Sequence, residues 1–456
     1  MIFQKPRLVI AALRGGAGKT VVSLGVAAAW RIKRGLRVVP FKKGPDYIDA
    51  GWLSVAAQSP CYNLDPFLMK SDEMLLSFVQ RAGEGDVGLI EGNRGLYDGV
   101  DVQGSFSTAE LAKLLSAPVV LVLDATKMTR TAAALVLGCQ QLDPEVRIAG
   151  IILNKVAGKR HEKILQGAIE KYCGVPVVGV LPKEGNMFFP ERHMGLVPPQ
   201  EADNAAEAMK WAAARTCECV DLGALWRIAE SADTLGWPAT AVQTGASVYA
   251  SKPVTIGIVR DAAFQFYYPE NLEALQERGA ILQEISSFED CPLPTVDALY
   301  IGGGFPEAHL RILAANSVFR ESLRGEIDAG LPVYAECGGL MFLCANILHK
   351  GCKFPMTGIF PYDVVLEAKP QGHGYTILEC VRENPFFAKG ARFKGHEFHY
   401  SRVIGCDSSL PFVFRLQKGH GIVAGWDGLC YKNTLASYSH VHAVGNKSWA
   451  EAMVHS

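Results

Sequence analysis

The run RLVIAALRGGAGKT, from Arg7 to Thr20, decides the fold of the first half of the chain. An apolar segment of strand length leads into small residues and then into a helical pattern, which predicts a strand, a tight loop and a helix. Small residues let backbone N–H groups surround phosphate oxygens, while a lysine supplies charge and a threonine hydroxyl binds Mg²⁺. We therefore predict a loop that binds ATP with Mg²⁺, formed by Gly15, Gly16, Gly18, Lys19 and Thr20.

Two positions of this loop depart from the common pattern. Leu13 stands where the first glycine of G-x-x-x-x-G-K-[ST] belongs. Arg14 occupies the place of a lysine that regulatory ATPases of the MinD/ParA group direct at a partner's nucleotide. The loop alone leaves open a synthetase, a positioning ATPase, and a glycine-rich turn that binds nothing.

The rest of the chain repeats short apolar runs and helical patterns, which predicts an α/β fold with a doubly wound parallel sheet. The strands predicted for the first half are Arg7–Leu13, Leu36–Phe41, Val87–Glu91, Pro118–Asp124, Ile148–Asn154 and Pro176–Leu181, and the crossover helices include Thr20–Lys33 and Arg130–Leu142. A second α/β pattern begins at Val254, with a helix from Pro269. We predict two domains, 1–235 and 253–456, joined by a linker at 236–252.

Composition excludes several functional classes. The 456 residues carry 45 basic and 46 acidic side chains, so there is no general attraction to nucleic acid or to an anionic membrane. No apolar run reaches the roughly 20 residues of a membrane span. The twelve cysteines are scattered and no secretory signal precedes them. We therefore expect reduced thiols and a cytoplasmic protein that binds neither nucleic acid nor membrane.

Acidic side chains follow two strands of the predicted sheet. FKKGPDYID contains Asp46 and Asp49, and EGNRGLYDG contains Glu91 and Asp98. Ligands of open α/β sheets bind at these carboxyl ends of strands, and Mg²⁺ prefers hard oxygen ligands. We predict catalytic roles for Asp46, Asp49 and Glu91, with Thr20, Asp46 and Glu91 near the metal. Singly, each carboxylate is also typical of a helix cap or a solvated loop.

Two lysines and an asparagine extend this predicted site. Lys42 is placed to steady a transferring phosphoryl group. Asn154, followed by Lys155, comes after the strand IAGIIL. We predict that Asn154 contacts the adenine, although a turn-forming asparagine remains the alternative.

The second half contains LPVYAECGGL, in which Cys337 follows a strand and glycines open a helix. A thiol at a helix N-terminus is expected to have a lowered pKa, and a base completes its activation. SYSHVH offers His440 as that base and His442 as its orienter. The amides of Gly303 and Gly304, in IGGGF, are predicted to form an oxyanion hole. The alternatives are a buried structural cysteine, and a histidine pair on a surface strand or at a zinc ion.

Together these residues resemble the cobyrinate a,c-diamide synthase family. The matching segments cover nearly the whole chain and include FKKGPDYIDAGW, EGNRGLYDG, LYIGGGFPE, PVYAECGGLMFL, GHEFHYSR and ASYSHVH. The resemblance implies an ATP-binding domain of the dethiobiotin-synthetase type fused to a class I, triad-type glutamine amidotransferase domain. It also implies that glutamine supplies ammonia and that ATP activates a tetrapyrrole carboxylate as an acyl phosphate, so that two acetate side chains, a and c, become amides.

The resemblance also assigns roles to single residues. Asp46, Asp49 and Glu91 match positions tied to catalysis or metal, and Cys337 and His440 match the nucleophile and base of the glutaminase. His442 takes the place of the third triad member, which is Glu in many related amidotransferases. The positions implied to contact or handle the substrate are Tyr47, Ile48 and Asp98.

Because Leu13 and Arg14 depart from the common pattern of the phosphate loop, the identity of the substrate stays open. Relatives of similar architecture amidate sirohaem or nickel-sirohydrochlorin, so these stay beside cobyrinate as alternatives. The other functional classes are a MinD/ParA-like regulatory ATPase and an amidotransferase domain kept only as an interaction module. The sequence leaves the oligomeric state open, with a homodimer as one option.

Overall fold

The computed structural model describes residues 2–183, 189, 191–192, 195–202, 204–237, 253–408 and 410–455. The chain divides into two compact units, residues 1–243 and 244–456. Most of the predicted linker, residues 238–252, lies outside the described residues. Within the described part of the chain, no helix is both long enough and apolar enough to cross a membrane.

The first unit is built on a parallel sheet, as the apolar runs predict. Among its described residues the seven strands lie in the order β3-β2-β4-β1-β5-β6-β7. Their bounds are β1 Arg7–Ala12, β2 Val38–Lys43, β3 Tyr62–Leu64, β4 Val87–Glu91, β5 Val119–Asp124, β6 Ile148–Val156 and β7 Val177–Pro182. Every pairing in this sheet is parallel. Strands β1 to β5 are buried along their whole length because helices cover both faces.

The helices of the first unit are α1 Lys19–Arg34, α2 Ile48–Ala57, α3 Ser71–Gly83, α4 Thr108–Leu114, α5 Thr131–Leu142, α6 Lys159–Cys173, α7 Ala205–Cys219 and α8 Leu222–Glu230. Short strand pairs join Ile2–Phe3 to Leu235–Gly236 and Glu191–Arg192 to Gly195–Leu196, and a 3₁₀ turn spans Pro199–Glu201. In this sheet β1 lies between β4 and β5. Because the strands are parallel, the loops after β1, β2 and β4 all lie at the same edge.

Among its described residues the second unit also contains a mainly parallel sheet, in the order β9-β8-β10-β11-β21-β20, in which only the pair β20–β21 is antiparallel. Two further sheets of its described residues have the orders β13-β12-β14-β17 and β19-β18-β15-β16-β22. The strands are β8 Val254–Val259, β9 Ala280–Ile285, β10 Ala298–Ile301, β11 Val333–Glu336, β12 Cys344–His349, β13 Cys352–Pro355, β14 Phe360–Leu366, β15 Gly372–Cys380, β16 Arg392–His399, β17 Ser401–Ile404, β18 Phe414–Lys418, β19 Trp426–Asp427, β20 Leu429–Tyr431, β21 Thr434–Ser437 and β22 His440–Val441.

The helices of the second unit are α9 Pro269–Glu277, α10 Leu310–Ala315, α11 Ser317–Ala329, α12 Gly338–Leu343 and α13 Lys447–His455, with a 3₁₀ turn at Pro306–Ala308. The main sheet separates two apolar clusters. Ala335 and Cys337 belong to one cluster, whereas Tyr300 and Tyr334 belong to the other. Adjacent residues of β11 therefore face opposite sides of the sheet, as the pleat requires.

A buried arginine links the first strand of the sheet in the first unit to other segments by hydrogen bonds. Arg7 is fully buried, and its guanidinium donates to the carbonyl oxygens of Leu115, Ser116, Lys5 and Asp233. Burial lowers its pKa to about 10, although Asp233 opposes this, so the group is charged at neutral pH. The side chain thus satisfies carbonyl groups from distant parts of the chain.

We expect Arg7→Met to destabilise the protein by about 3 kcal/mol, because it leaves buried carbonyl groups without donors. Calorimetry of the full chain measures the effect. Arg37→Met is the matched control, since Arg37 is 73% exposed and pairs with Asp86 at 3.5 Å. Its loss is expected to change stability by no more than about 0.5 kcal/mol. Equal losses in the two variants would contradict the structural role of Arg7.

Candidate functional site

The predicted phosphate loop joins β1 to α1. Gly16 has φ +71° and Gly18 has φ +93°, a left-handed conformation that glycine adopts without strain. Lys19 and Thr20 form the first turn of α1, where the positive end of the helix dipole lies. The loop therefore has the strand–loop–helix geometry of an anion-binding site.

Glu91, at the end of β4, contacts both polar side chains of that first helical turn. Lys19 Nζ lies 3.0 Å from Glu91 Oε1, and Thr20 Oγ1 donates to the same oxygen at 2.7 Å. The hydroxyl also lies 3.3 Å from Asp49 Oδ2. The structure thus brings together side chains of three separate segments, all of which the sequence predicts to be part of the site.

Lys42 neutralises the centre of this cluster. Its ammonium is fully buried and lies 2.6 Å from Asp49, 3.0 Å from Glu91 and 3.6 Å from Asp46. Burial opposes the charge, but the three carboxylates raise the pKa of Lys42 well above its ordinary value. The lysine is therefore a permanent cation beside the predicted site of phosphoryl transfer.

The oxygen donors of the cluster suit Mg²⁺. Glu91 Oε2 is buried and has no hydrogen-bond partner among the described residues, so it can act as a ligand. Thr20 Oγ1, Asp46 and Asp49 add further hard oxygen atoms nearby. In the described part of the chain, no group of three or more His, Cys, Asp or Glu side chains has the geometry to hold a metal ion. Mg²⁺ commonly uses one or two carboxylates together with substrate phosphates and waters.

The contacts of Asn154 lie at the phosphate loop. Its amide Nδ2 donates to Ala17 O at 2.8 Å, and its Oδ1 accepts from Lys155 N. Lys155 Nζ and Arg14 both pair with Asp124, at 3.0 and 3.1 Å. Asn154 therefore holds the loop in place, and its predicted contact with adenine stays a prediction.

The residues assigned to the substrate lie in the segments that follow β2 and β4. Ile48 begins α2 and is 9% exposed, and Tyr47 directly precedes it. Asp98 Oδ2 accepts a hydrogen bond from Gly95 N at 2.9 Å, so its carboxylate closes the turn after β4. The roles in substrate binding predicted for these three residues remain predictions.

In the second unit, Cys337 forms a sharp turn between β11 and α12. Its φ of +46° and ψ of −97° are strained for a residue with a side chain, and its N–H donates to Ser437 O at 2.8 Å. The two glycines that follow make the turn sterically feasible. A Cβ on Gly339 would lie 2.6 Å from Ile301 O, and one on Gly338 would lie 3.0 Å from Gly304 N.

The expectation that the helix N-terminus lowers the pKa of Cys337 is wrong. Burial, followed by Glu307 and Glu336, raises the pKa far above that of an ordinary thiol, and the hydrogen bond to Gly338 offsets little of this. The short helix cannot compensate for the loss of solvent around the sulfur. The resting group is a neutral thiol, so a base has to remove its proton.

His440 lies beside the predicted oxyanion loop. A Cβ on Gly303 would lie 2.5 Å from His440 Cε1, which shows how closely that backbone approaches the imidazole. The ring is buried and stacks on His396 with 4.9 Å between centroids. Gly303 and Gly304 therefore lie close to the predicted base and to the turn that carries Cys337.

The carboxylate next to His440 belongs to Glu336, which is not among the residues predicted from the sequence. His440 Nδ1 lies 3.2 Å from Glu336 Oε2. His442 has other contacts: its Nε2 lies 3.7 Å from Glu270 Oε1, its Nδ1 accepts from Val444 N, and its ring packs on Tyr268. The orienting role of His442 stays a prediction. The only sequence signal for Glu336 was its position before the cysteine.

Comparisons with known proteins agree with this division of the chain. The family model of the CobQ/CobB/MinD/ParA nucleotide binding domain matches residues 8–197. The family model of the CobB/CobQ-like glutamine amidotransferase domain matches residues 255–448. The two models together cover most of both units.

Curated relatives with the name cobyrinate a,c-diamide synthase match along nearly the full length. The protein of Magnetococcus marinus is 42% identical over 452 residues, which cover 99% of this chain and 97% of the relative. That of Methanothermobacter thermautotrophicus is 40% identical over 97% of this chain and 98% of the relative. That of Listeria innocua is 39% identical, with coverage of 96% and 97%. Likeness of this extent shows that the chain belongs to the cobyrinate a,c-diamide synthase family.

Proposed function

We propose that this glutamine-dependent amidating ligase uses ATP to amidate the a and c acetate carboxylates of cobyrinate. The observation that carries the proposal is that one chain holds both a phosphate loop with a carboxylate cluster and a cysteine turn with an adjacent histidine. The relatives named after cobyrinate match over nearly the whole chain, which favours this substrate over sirohaem or nickel-sirohydrochlorin.

Ammonia release takes place in the second unit. His440 removes the proton of Cys337, and the sulfur attacks the side-chain amide carbon of glutamine. The backbone amides of Gly303 and Gly304 stabilise the negative oxygen that develops. His440 then gives the proton to the leaving nitrogen, so ammonia departs and a glutamyl thioester remains. Water hydrolyses this thioester to glutamate and restores the thiol.

Carboxylate activation takes place in the first unit. The phosphate loop and Lys19 hold the phosphates of ATP, and Lys42 stabilises charge on the transferring phosphoryl group. A substrate carboxylate attacks the terminal phosphorus, ADP leaves, and an acyl phosphate forms. Ammonia then displaces phosphate to give the amide. Mg²⁺, held by Thr20, Asp46 and Glu91, would supply positive charge to the phosphates.

The second unit argues against the other functional classes. A MinD/ParA-like ATPase has no use for a glutaminase site, and Arg14 pairs with Asp124 of its own chain. An interaction module has no need of a strained cysteine turn with a histidine close to the glycine loop, because strain persists only where surrounding structure maintains it.

Cellular location and assembly are further parts of the proposal. All twelve cysteines lie within the described residues and are free thiols, which suits a reducing cytoplasm. A homodimer stays a prediction, which light scattering of the purified protein measures directly.

The substrate is identified by competition. The protein receives ATP, Mg²⁺ and glutamine with equal concentrations of cobyrinate, sirohaem and nickel-sirohydrochlorin, and mass spectrometry follows each macrocycle. We expect stepwise amidation of two carboxylates of cobyrinate. Amidation of one of the other macrocycles would reassign the substrate, and hydrolysis of ATP and glutamine without any amidation would reject all three.

Cys337→Ser is expected to lower glutamine-dependent amidation by at least about 10³-fold, because the hydroxyl is a poorer nucleophile in this site. Activity with added ammonium should persist, since the synthetase residues are intact. Cys352→Ser is the control, as Cys352 is exposed. Loss of activity with both nitrogen donors would contradict two separable sites.

Gly303→Ala is expected to lower glutamine-dependent turnover by about 10²-fold, because the new methyl group would lie 2.5 Å from His440 Cε1 and displace the base. The measurement is release of glutamate. Gly325→Ala is the matched control, since a Cβ there meets no atom within 4 Å. Full glutaminase activity in Gly303→Ala would place the base elsewhere.

Glu91→Gln is expected to lower amidation with either glutamine or ammonium by at least about 10²-fold, because it removes the charge that faces Lys19, Lys42 and Thr20. Release of glutamate should continue. Asp86→Asn, at a partly exposed acidic side chain just before β4, is the control. A variant that amidates normally would exclude Glu91 from the synthetase site.

A further inference from the structure

Glu336 is a buried carboxylate that accepts hydrogen bonds at both of its oxygens. Its side chain is 0% exposed. Tyr300 Oη donates to Oε2 at 3.0 Å, Tyr334 Oη donates to Oε1 at 3.2 Å, and Val441 N donates to Oε1 at 3.0 Å. Nδ1 of His440 also lies 3.2 Å from Oε2.

These donors keep the carboxylate fixed in one orientation. Burial, together with Glu336 itself, raises the pKa values of Tyr300 and Tyr334 well above the ordinary value for tyrosine. Both phenols therefore remain O–H donors at neutral pH. The amide of Val441 belongs to β22, the same strand as His440. The carboxylate of Glu336 therefore contacts both the backbone of this strand and the imidazole ring of His440.

We infer that Glu336 is the positioning residue of the glutaminase and takes the orienting role that the sequence predicts for His442. A carboxylate at Nδ1 holds that nitrogen as the N–H donor, which leaves Nε2 with the lone pair that a base needs. It also stabilises the imidazolium that forms when Cys337 loses its proton.

The ring of His396 stacks on the ring of His440. Its ring lies 19° from parallel to that of His440. Burial, followed by His440 and His442, lowers the pKa of His396 well below its ordinary value. The ring that packs against the base thus carries no positive charge, and the carboxylate of Glu336 lies where it balances a proton on His440.

The inference rests on the proposed roles of Cys337 and His440, and Glu336→Gln tests it. The amide keeps the shape but loses the negative charge. We expect the kcat of glutamate release to fall by at least about 10²-fold, with the KM for glutamine little changed. Ammonium-dependent amidation should be unaffected. Glu336→Asp keeps the charge on a shorter side chain and should recover part of the kcat.

Glu397→Gln is the matched control. Glu397 is also buried, but its carboxylate accepts from the amides of His420 and Gly421 and lies near His399 instead of His440. Glutaminase kcat in this variant should stay close to that of the wild type, provided that circular dichroism shows a folded protein.

Nitrogen-15 NMR of histidine provides a test that needs no variant to fold. In the wild-type protein, neutral His440 should carry its proton on Nδ1, with a proton resonance shifted downfield by the carboxylate. A proton on Nε2 would overturn the inference. So would glutamate release that survives in Glu336→Gln but is lost in His442→Gln. If Cys337→Ser retains glutamate release, the proposed nucleophile fails instead, which separates the two hypotheses.

Discussion

Both units depend on one constraint of parallel sheets, which is that neighbouring strands end at the same edge. In the first unit this edge collects the phosphate loop after β1, Lys42 on β2 and Glu91 at the end of β4. In the second unit it collects the glycine loop after β10, Cys337 after β11 and the segment after β21 that leads to His440. Residues far apart in sequence therefore become neighbours without any long loop to hold them.

The parts of the fold that sequence predicts best are those with a strong local signal. Val87–Glu91 is an apolar run with both faces covered, and it forms a strand with the same bounds. The strand predicted at Leu36–Phe41 forms at Val38–Lys43 instead, because Lys42 and Lys43 are buried despite their polarity. For Lys42, the carboxylates of Asp46, Asp49 and Glu91 offset the cost of burial, and only the three-dimensional structure brings them together. The two further sheets of the second unit are not predicted, because in strands such as Gly372–Cys380 the buried positions include Gly372 and Thr376, so no apolar alternation marks the strand.

In the candidate site, too, features with a strong local sequence signal are predictable and the others are not. The glycine loop, the acidic pair after β2 and the cysteine turn were readable, because each has a characteristic local pattern. The pKa of Cys337 and the hydrogen-bond partners of Glu336 could not be predicted from such patterns. A helix N-terminus beside Cys337 predicted a lowered pKa, yet burial raises it. Glu336 was overlooked since nothing in the order of residues reveals that Tyr300, Tyr334 and Val441 converge on its oxygens.

The pleat of β11 restricts insertions and deletions within this strand. Glu336 shares a face of the sheet with Tyr334, whereas Cys337 shares the opposite face with Ala335. An insertion or deletion of a single residue within Val333–Glu336 would exchange the two faces and point the carboxylate toward the wrong apolar cluster. Surface loops can absorb such events. This four-residue strand cannot, so its length is expected to be invariant wherever the cysteine turn remains active.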